Sequence, residues 1–114
     1  MAVTIYHNPN CSTSRKVLGW LKEKGIEPKI VEYLKTPLDE AGIRSLLKKL
    51  KLGPRDILRR KGEAFEALQL GDRTTDDHLI GAMATMPILI ERPIVVGPKG
   101  AVLCRPAERV WEAV

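Results

Sequence analysis

The sequence predicts an α/β fold built on a small mixed sheet. Its patterns run in the order strand, helix, strand, then several helices, and then further strands and a final helix. The first three elements form a β-α-β unit, whose strands are parallel, whereas a tight turn joins two late strands and makes them antiparallel. With 114 residues, of which 44% are hydrophobic and 29% charged, the chain is expected to form one domain spanning residues 1–114.

The first three elements surround a polar turn. Residues 3–6 are rich in β-forming side chains and predict a strand, which the turn residues at 7–10 end. Apolar residues recur at helical spacing over residues 12–24, and Gly25 stands where a glycine commonly ends a helix. Residues 29–34 then predict the second strand, because they include β-branched side chains and follow a proline.

The middle of the chain is predicted to be helical. The strongest signal is a helix over residues 36–53, with Thr36 as its N-cap, a proline at the first helical position and an apolar stripe behind them. Two shorter helices are predicted over residues 54–60 and 63–70. A further helix over residues 75–86 begins with a threonine cap and an acidic first turn.

Three short apolar runs follow, over residues 88–90, 94–96 and 101–103, and each is interpreted as a strand. The last two are joined by the sequence GPKG at residues 97–100, which is a strong hairpin signal. Residues 106–114 predict a final helix that begins with proline. The complete order describes a thioredoxin-like, or glutaredoxin-like, mixed sheet with a helical insertion.

The net charge of +5 is unevenly distributed. Residues 1–62 contain 14 basic and 6 acidic residues, whereas residues 63–114 contain 5 basic and 8 acidic ones. A basic half can attract nucleic acid, a membrane surface or a small anion. We expect no nucleic acid, since the aromatic residues are few, and no membrane, since no apolar run reaches the roughly 18 residues of a span. Without a signal peptide the protein is expected to be cytoplasmic.

Cys11 carries the strongest chemical signal. It lies directly before a predicted helix, whose positive end and exposed N–H groups favour thiolate over thiol. His7, Ser14 and Arg15 are near enough to help hold that charge, with His7 as a cationic partner. Because residue 14 is serine, no CxxC pair exists, and another molecule must resolve the oxidised thiol. Arg15 is also too close to Cys11 in sequence for the phosphate-binding loop of a tyrosine phosphatase.

Three arginines lie where the backbone is constrained. Arg59 ends a predicted short helix, and Arg92 and Arg105 each precede a proline. In a thioredoxin-like sheet the residue before the proline that opens the third strand faces the cysteine, and that proline is commonly cis. Guanidinium groups are planar forks that suit tetrahedral oxyanions. Each arginine alone fits a surface ion pair, but together with Cys11 they predict a thiolate under an oxyanion clamp.

Three segments together resemble the glutaredoxin-coupled arsenate reductase (ArsC) family. They are residues 7–15 (HNPNCSTSR), residues 87–96 (PILIERPIVV) and residues 103–106 (LCRP), and the similarity in order and spacing spans nearly the whole chain. The resemblance implies that Cys11 attacks arsenate, that glutathione adds to the product, and that glutaredoxin supplies the last reducing equivalents, which leaves arsenite. Glutathione would be a co-substrate, and no metal or tightly bound cofactor is implied.

The resemblance also assigns residues to the site. They are Cys11, His7 and Ser14 for catalysis, and Arg59, Arg92 and Arg105 for binding the oxyanion. It gives Cys104 no role, and the apolar neighbours of that thiol predict burial. His78 is expected to be a cap or surface residue. Glu91 departs from the family pattern, which usually has an uncharged polar residue there, and its carboxylate could pair with Arg92 or repel arsenate.

Two other functions stay open at this point. One is a glutathione-dependent thiol reductase of ArsC-like sequence that acts on an organic disulfide or a glutathione adduct. The other is a regulator of the Spx type, which shares the fold and binds RNA polymerase instead of turning over a substrate. Proteins of that type generally carry a CxxC switch, whereas this chain has Ser14 at the second position.

Overall fold

The computed structural model describes residues 2–71 and 73–114. The chain forms two compact units, one made of Met1–Thr36 with Arg92–Val114 and the other of Pro37–Glu91. The expectation of one domain over residues 1–114 stays a prediction. Among the helices of the described residues, none combines the length and the apolar character that crossing a membrane requires.

The first unit contains a four-stranded mixed sheet. Its strands are β1 (Thr4–Tyr6), β2 (Lys29–Val31), β3 (Ile94–Gly97) and β4 (Gly100–Leu103), in the spatial order β2-β1-β3-β4. β1 and β2 are parallel, and β3 is antiparallel to both β1 and β4. This confirms the predicted thioredoxin-like arrangement of a β-α-β unit followed by a hairpin, although β2 is shorter than the sequence suggested.

The helix α1 (Ser12–Glu23) connects β1 and β2 and ends as the sequence predicts. Gly25 has a φ of +77°, a conformation in which only glycine avoids a steric penalty. The N–H of Gly25 donates to the Lys22 carbonyl at 2.9 Å, and the N–H of Ile26 donates to the Leu21 carbonyl at 2.9 Å. These two bonds make a Schellman motif, which satisfies the last carbonyls of the helix and turns the chain toward β2.

The core of this unit lies between the sheet and two helices. The side chains of Ile5 and Val95, which pair across β1 and β3, are fully buried against Val17 and Leu21 of α1. Val110 joins them from a 3-10 helix over Ala107–Glu112. Since burying each such side chain contributes about 1.5–3 kcal/mol, this cluster holds the β1–α1 connection in place.

The second unit is helical. It contains α2 (Glu40–Leu50), α3 (Glu63–Ala67), α4 (Asp76–Thr85) and two 3-10 helices over Pro54–Ile57 and Pro87–Leu89. The helices α2 and α4 pack together through their buried apolar faces. The buried side chains are Ile43, Leu46, Leu47 and Leu50 of α2, and Leu79, Ile80 and Met83 of α4.

The predicted start of α2 is wrong by three residues. Its N-cap is Asp39 rather than Thr36, and an Asp39 carboxylate oxygen accepts a hydrogen bond from the Gly42 N–H at 2.7 Å. Aspartate is a better N-cap than threonine, because its charge also interacts favourably with the positive helix end. The helix ends at Leu50, before the Gly53-Pro54 break.

Three other short elements differ from their predictions. Residues 54–60 form only a 3-10 turn over Pro54–Ile57, so Arg59 does not end a helix. The run 88–90 is not a strand, since Pro87–Leu89 is a 3-10 helix and only Ile90 makes a β-bridge, to Leu58. The final helix is likewise of the 3-10 type. Apolar runs this short do not distinguish strands from helical turns, so tertiary contacts decide.

Candidate active site

The loop between β1 and α1 presents Cys11 at the N-terminus of α1, as the sequence predicts. Cys11 is the N-cap residue, with extended backbone angles of φ −100° and ψ 122°. Its N–H donates to the Asn8 carbonyl at 3.0 Å, and its own carbonyl accepts from the Arg15 N–H at 3.0 Å. Its thiol is partly exposed, so a reagent in solution can reach a sulfur that the helix end faces.

The surroundings of Cys11 lower the pKa of its thiol. Burial, the largest influence, raises the pKa, but it is outweighed by hydrogen bonds from the Ser14 N–H, the Arg92 side chain and the Thr13 N–H, together with the charge of Arg92. These hydrogen bonds all stabilise the thiolate relative to the thiol, since an anionic sulfur accepts stronger hydrogen bonds than a neutral one. The sequence-based expectation of an activated nucleophile therefore has a physical basis in this geometry.

Ser14 and His7 form a buried network beside the loop. Ser14 is fully buried and His7 is 6% exposed, and the His7 Nδ1 lies 2.6 Å from the Ser14 hydroxyl oxygen. The same oxygen accepts a hydrogen bond from the Asn8 N–H at 3.1 Å. The Ser14 hydroxyl therefore joins the His7 ring to the backbone of the loop.

The protonation of His7 differs from the sequence-based hypothesis. Burial is the main reason that the pKa of His7 is lowered; the charge of Glu32 opposes this, and those of Arg15 and Lys22 add to it. A lowered pKa favours the neutral ring at neutral pH, so His7 is not suited to be a cationic partner of the thiolate. Its contact with the Ser14 hydroxyl ties the His7 ring to the start of α1, beside Cys11.

Two further contacts shape the loop, and sequence reasoning did not assign them. The Asn8 side-chain oxygen accepts from the Asn10 N–H at 2.9 Å, and Asn8 is only 3% exposed. The guanidinium of Arg15 donates to the Pro9 carbonyl at 2.8 Å, so it holds the backbone of the loop. An asparagine before a proline is a turn signal, and this pattern could have indicated that Asn8 shapes the loop.

Arg92 and Arg105 belong to the same unit as Cys11. Arg92 is 6% exposed, and its carbonyl accepts a hydrogen bond from the Arg105 guanidinium at 3.0 Å. The peptide bonds before Pro93 and Pro106 are both cis; the cis bond before Pro106 had no sequence signal. The structure therefore brings Arg92 to the sulfur of Cys11 and Arg105 to the backbone of Arg92.

Arg59 lies in the second unit, where it pairs with Glu91. Its guanidinium Nη1 is 3.3 Å from a carboxylate oxygen of Glu91. Glu91 therefore has an ion pair with Arg59, and its expected effect on Arg92 or on arsenate stays a prediction. A role of Arg59 in oxyanion binding stays a prediction.

The remaining chemistry-bearing residues lie outside this group. Cys104 is fully buried, and burial raises the pKa of its thiol from 9.0 to about 12, which makes it inert at neutral pH. His78 is exposed in the first turn of α4, where its N–H donates to the Thr75 hydroxyl at 3.2 Å. Within residues 2–71 and 73–114, no three His, Cys, Asp or Glu side chains are grouped to hold a metal ion.

This arrangement suits nucleophilic attack by a thiolate on an anionic electrophile. Two unit charges about 4 Å apart repel by about 4 kcal/mol at the effective dielectric constant of a protein surface. An arginine at the sulfur offsets that repulsion, and its planar fork can also orient a tetrahedral oxyanion. Residue 14 is a buried serine, so it offers no second thiol beside Cys11.

Comparisons with known proteins agree with this description. The model of the ArsC family matches residues 6–113. A protein of Rhizobium meliloti (strain 1021) named arsenate reductase is 49% identical over 113 residues, which cover 98% of this chain and 81% of that protein. A protein of Escherichia coli (strain K12) named uncharacterized protein YfgD is 47% identical over 114 residues, which cover 98% of this chain and 96% of that protein.

A solved structure has the same fold over the full chain. It is described as an arsenate reductase from Vibrio cholerae, and it is 42% identical in sequence with a TM-score of 0.94. The match covers 100% of this chain and 98% of that one. The fold of the chain is therefore that of a relative whose structure has been solved.

Proposed function

The chain belongs to the ArsC family, and on that premise we propose that it is an arsenate reductase. The observation that carries the proposal is the contact of the Arg92 guanidinium with the Cys11 sulfur, which lowers the pKa of the thiol. A thiolate and a cation at the same point suit an anionic substrate whose central atom accepts a nucleophile. The names of the relatives from Rhizobium meliloti and Vibrio cholerae support arsenate as that substrate.

In the proposed reaction the Cys11 thiolate attacks the arsenic(V) of arsenate. A sulfur–arsenic bond forms, and one oxygen leaves as water after protonation. Arg92 and Arg105, with Arg59 as the resemblance implies, hold the remaining oxygens and stabilise the charge that develops on them. His7 and Ser14 keep the loop in the geometry that presents the thiolate.

Glutathione and glutaredoxin complete the proposed cycle. The thiol of glutathione displaces a second oxygen of the arsenic as water, which forms a glutathione–arsenic bond. A glutaredoxin thiolate then attacks the glutathione sulfur, so that the two thiols become a mixed disulfide and the electron pair of the broken bond reduces arsenic(V) to arsenic(III). Water finally hydrolyses the Cys11–arsenic bond, which releases arsenite and returns Cys11 to the thiol state. The external thiol is required because residue 14 is a buried serine.

A second candidate is a glutathione-dependent thiol reductase. It is favoured by the Arg59–Glu91 ion pair, because a carboxylate on one of the expected oxyanion-binding arginines reduces the positive charge available to arsenate. In that case Cys11 would attack a sulfur atom of a disulfide or a glutathione adduct, and the released thiolate would carry away the negative charge.

A coupled assay with arsenate separates the two candidates. We expect arsenite production that requires the chain, glutathione and glutaredoxin, and that stops when any of the three is omitted. Cys11→Ser should abolish turnover and leave the melting temperature nearly unchanged, since the loop is held by backbone and Ser14 contacts. Turnover of a glutathione mixed disulfide without any arsenite production would contradict the proposal and support the second candidate.

A further inference from the structure

Two segments of the second unit hold Arg59 and Glu91 beside each other. The N–H of Arg59 donates to the Leu89 carbonyl at 2.7 Å, and the N–H of Glu91 donates to the Ile57 carbonyl at 2.8 Å. These bonds run in opposite directions between the two segments, as in a short antiparallel ladder. The backbone on both sides of the ion pair is therefore fixed.

A buried bridge sets the register of this ladder. Leu58 and Ile90 form the β-bridge, and they are only 6% and 3% exposed. In that register Arg59 and Glu91 are diagonal neighbours, a separation that long side chains span easily. A slip of one residue would expose two apolar side chains, so the pairing of Arg59 with Glu91 is built into the fold of this unit.

The ion pair is also partly buried. The Arg59 and Glu91 side chains are 26% and 23% exposed. By contrast, the side chains of the Arg44–Asp77 pair are 50% and 82% exposed. Solvent and salt weaken the attraction in an exposed ion pair much more than in a partly buried one. The Glu91 carboxylate is therefore less screened from the Arg59 guanidinium than Asp77 is from Arg44.

We propose that Glu91 is a specificity-determining residue, whose carboxylate on Arg59 disfavours doubly charged tetrahedral oxyanions relative to singly charged ones. This inference rests on the proposed function, in which Arg59 binds the oxyanion. An anion that uses Arg59 must either displace the carboxylate or share the guanidinium with it. Sharing costs more for a dianion than for a monoanion, because the repulsion from the carboxylate scales with the charge of the ligand.

The test compares sulfate with perchlorate, which are both tetrahedral and differ in charge. Their binding to the reduced chain is measured by titration calorimetry, for the wild type and for Glu91→Gln. The variant keeps the shape of the side chain and removes its charge, so sulfate affinity should rise by about fivefold and perchlorate affinity by about twofold at most. Glu66→Gln, at an exposed position of α3, is the control with the same change in net charge and should alter neither affinity.

The second arm asks whether the effect passes through Arg59. In the Arg59→Ala background, Glu91→Gln should no longer favour sulfate. The proposal is overturned if Glu91→Gln gains no sulfate affinity, if both anions gain equally, or if the gain persists without Arg59. Glu91→Leu also lacks the charge and carries the same expectation, should the glutamine variant fail to fold.

These outcomes are separate from those of the proposed function. A shift toward sulfate in Glu91→Gln, in a chain that yields no arsenite, would support the role of Glu91 and contradict the arsenate reductase assignment. If the chain produces arsenite but the Glu91 substitutions change no anion affinity, the arsenate reductase assignment would be supported and the role of Glu91 contradicted.

Discussion

At the scale of single residues, the charge on the Cys11 sulfur depends on what donates to it. The Ser14 and Thr13 N–H groups come with the helix start, but the Arg92 side chain adds both a hydrogen bond and a full positive charge. The backbone donors survive almost any substitution in the loop. Arg92 is therefore the group through which mutation can change the reactivity of Cys11 most directly.

Replacing Arg92 by lysine should weaken catalysis even though the charge is kept. A lysine is a point charge without the planar fork, so it cannot hydrogen-bond the sulfur and orient an oxyanion together. We expect kcat/KM for arsenate to fall roughly 10- to 100-fold, as measured in the coupled assay. Arg109→Lys, at an exposed ion pair with Glu112, is the matched control and should be neutral. Unchanged kinetics for Arg92→Lys would remove Arg92 from the site.

Ser14→Ala should destabilise the folded chain. It leaves the buried His7 ring and the Asn8 N–H without the hydroxyl that both contact. Losing a partner for buried polar groups costs about 1–3 kcal/mol, to be measured by urea unfolding. Ser12→Ala, at the exposed first position of α1, should change the free energy of unfolding by much less. Equal effects of the two substitutions would contradict the described network.

Cys104→Ala should leave arsenate reduction nearly intact and change how stability depends on pH. The folded-state pKa of the Cys104 thiol is raised from 9.0 to about 12, so its contribution is complete below pH 9 and is lost as the pH rises toward 12. The difference in unfolding free energy between the wild type and Cys104→Ala should shrink over that range. A catalytically dead Cys104→Ala that still folds would show that the second thiol takes part in the reaction.

The residues of the site differ in how far sequence could reveal them. Cys11 was predictable because a strand, a polar turn and a helix start are local patterns. The neutral state of His7 was not, since burial, the main cause of its lowered pKa, depends on packing from distant segments. The same holds for the Arg59–Glu91 ion pair, because it depends on the bridge between two segments that are far apart in the sequence.

At the scale of elements, two helices and the hairpin were predicted well. The helix α1 ends before Gly25, α4 begins after its Thr75 cap, and the GPKG turn joins β3 and β4. The short segments at residues 54–60 and 88–90 were not predicted correctly, because hydrogen bonds between the two segments determine their conformation. Local propensity is too weak to compete with such contacts.

The start of α2 gives a direct test at this scale. Asp39→Ala removes the side chain that caps the Gly42 N–H, and it should lower the free energy of unfolding by about 1 kcal/mol. Thr36→Ala should have little effect, because the helix does not begin there. The comparison is made by chemical denaturation of both variants. A larger loss for Thr36→Ala would place the cap where the sequence alone suggested it.

At the scale of the whole molecule, the activated thiol is a product of folding. The loop and the start of α1 bring the Thr13 and Ser14 N–H groups to Cys11, and the sheet brings Arg92 from a distant part of the chain. None of these donors is fixed near the sulfur in an unfolded chain. The lowered pKa of Cys11 should therefore disappear when the fold is lost.

The pH dependence of alkylation at Cys11 tests the central claim most directly. With Cys104→Ala as the background, the rate of reaction with iodoacetamide reports the thiolate fraction of Cys11 alone. In the folded chain the midpoint should lie clearly below the midpoint measured in urea, where the thiol titrates as in an unfolded chain. A folded-state midpoint at or above the value in urea would contradict the account.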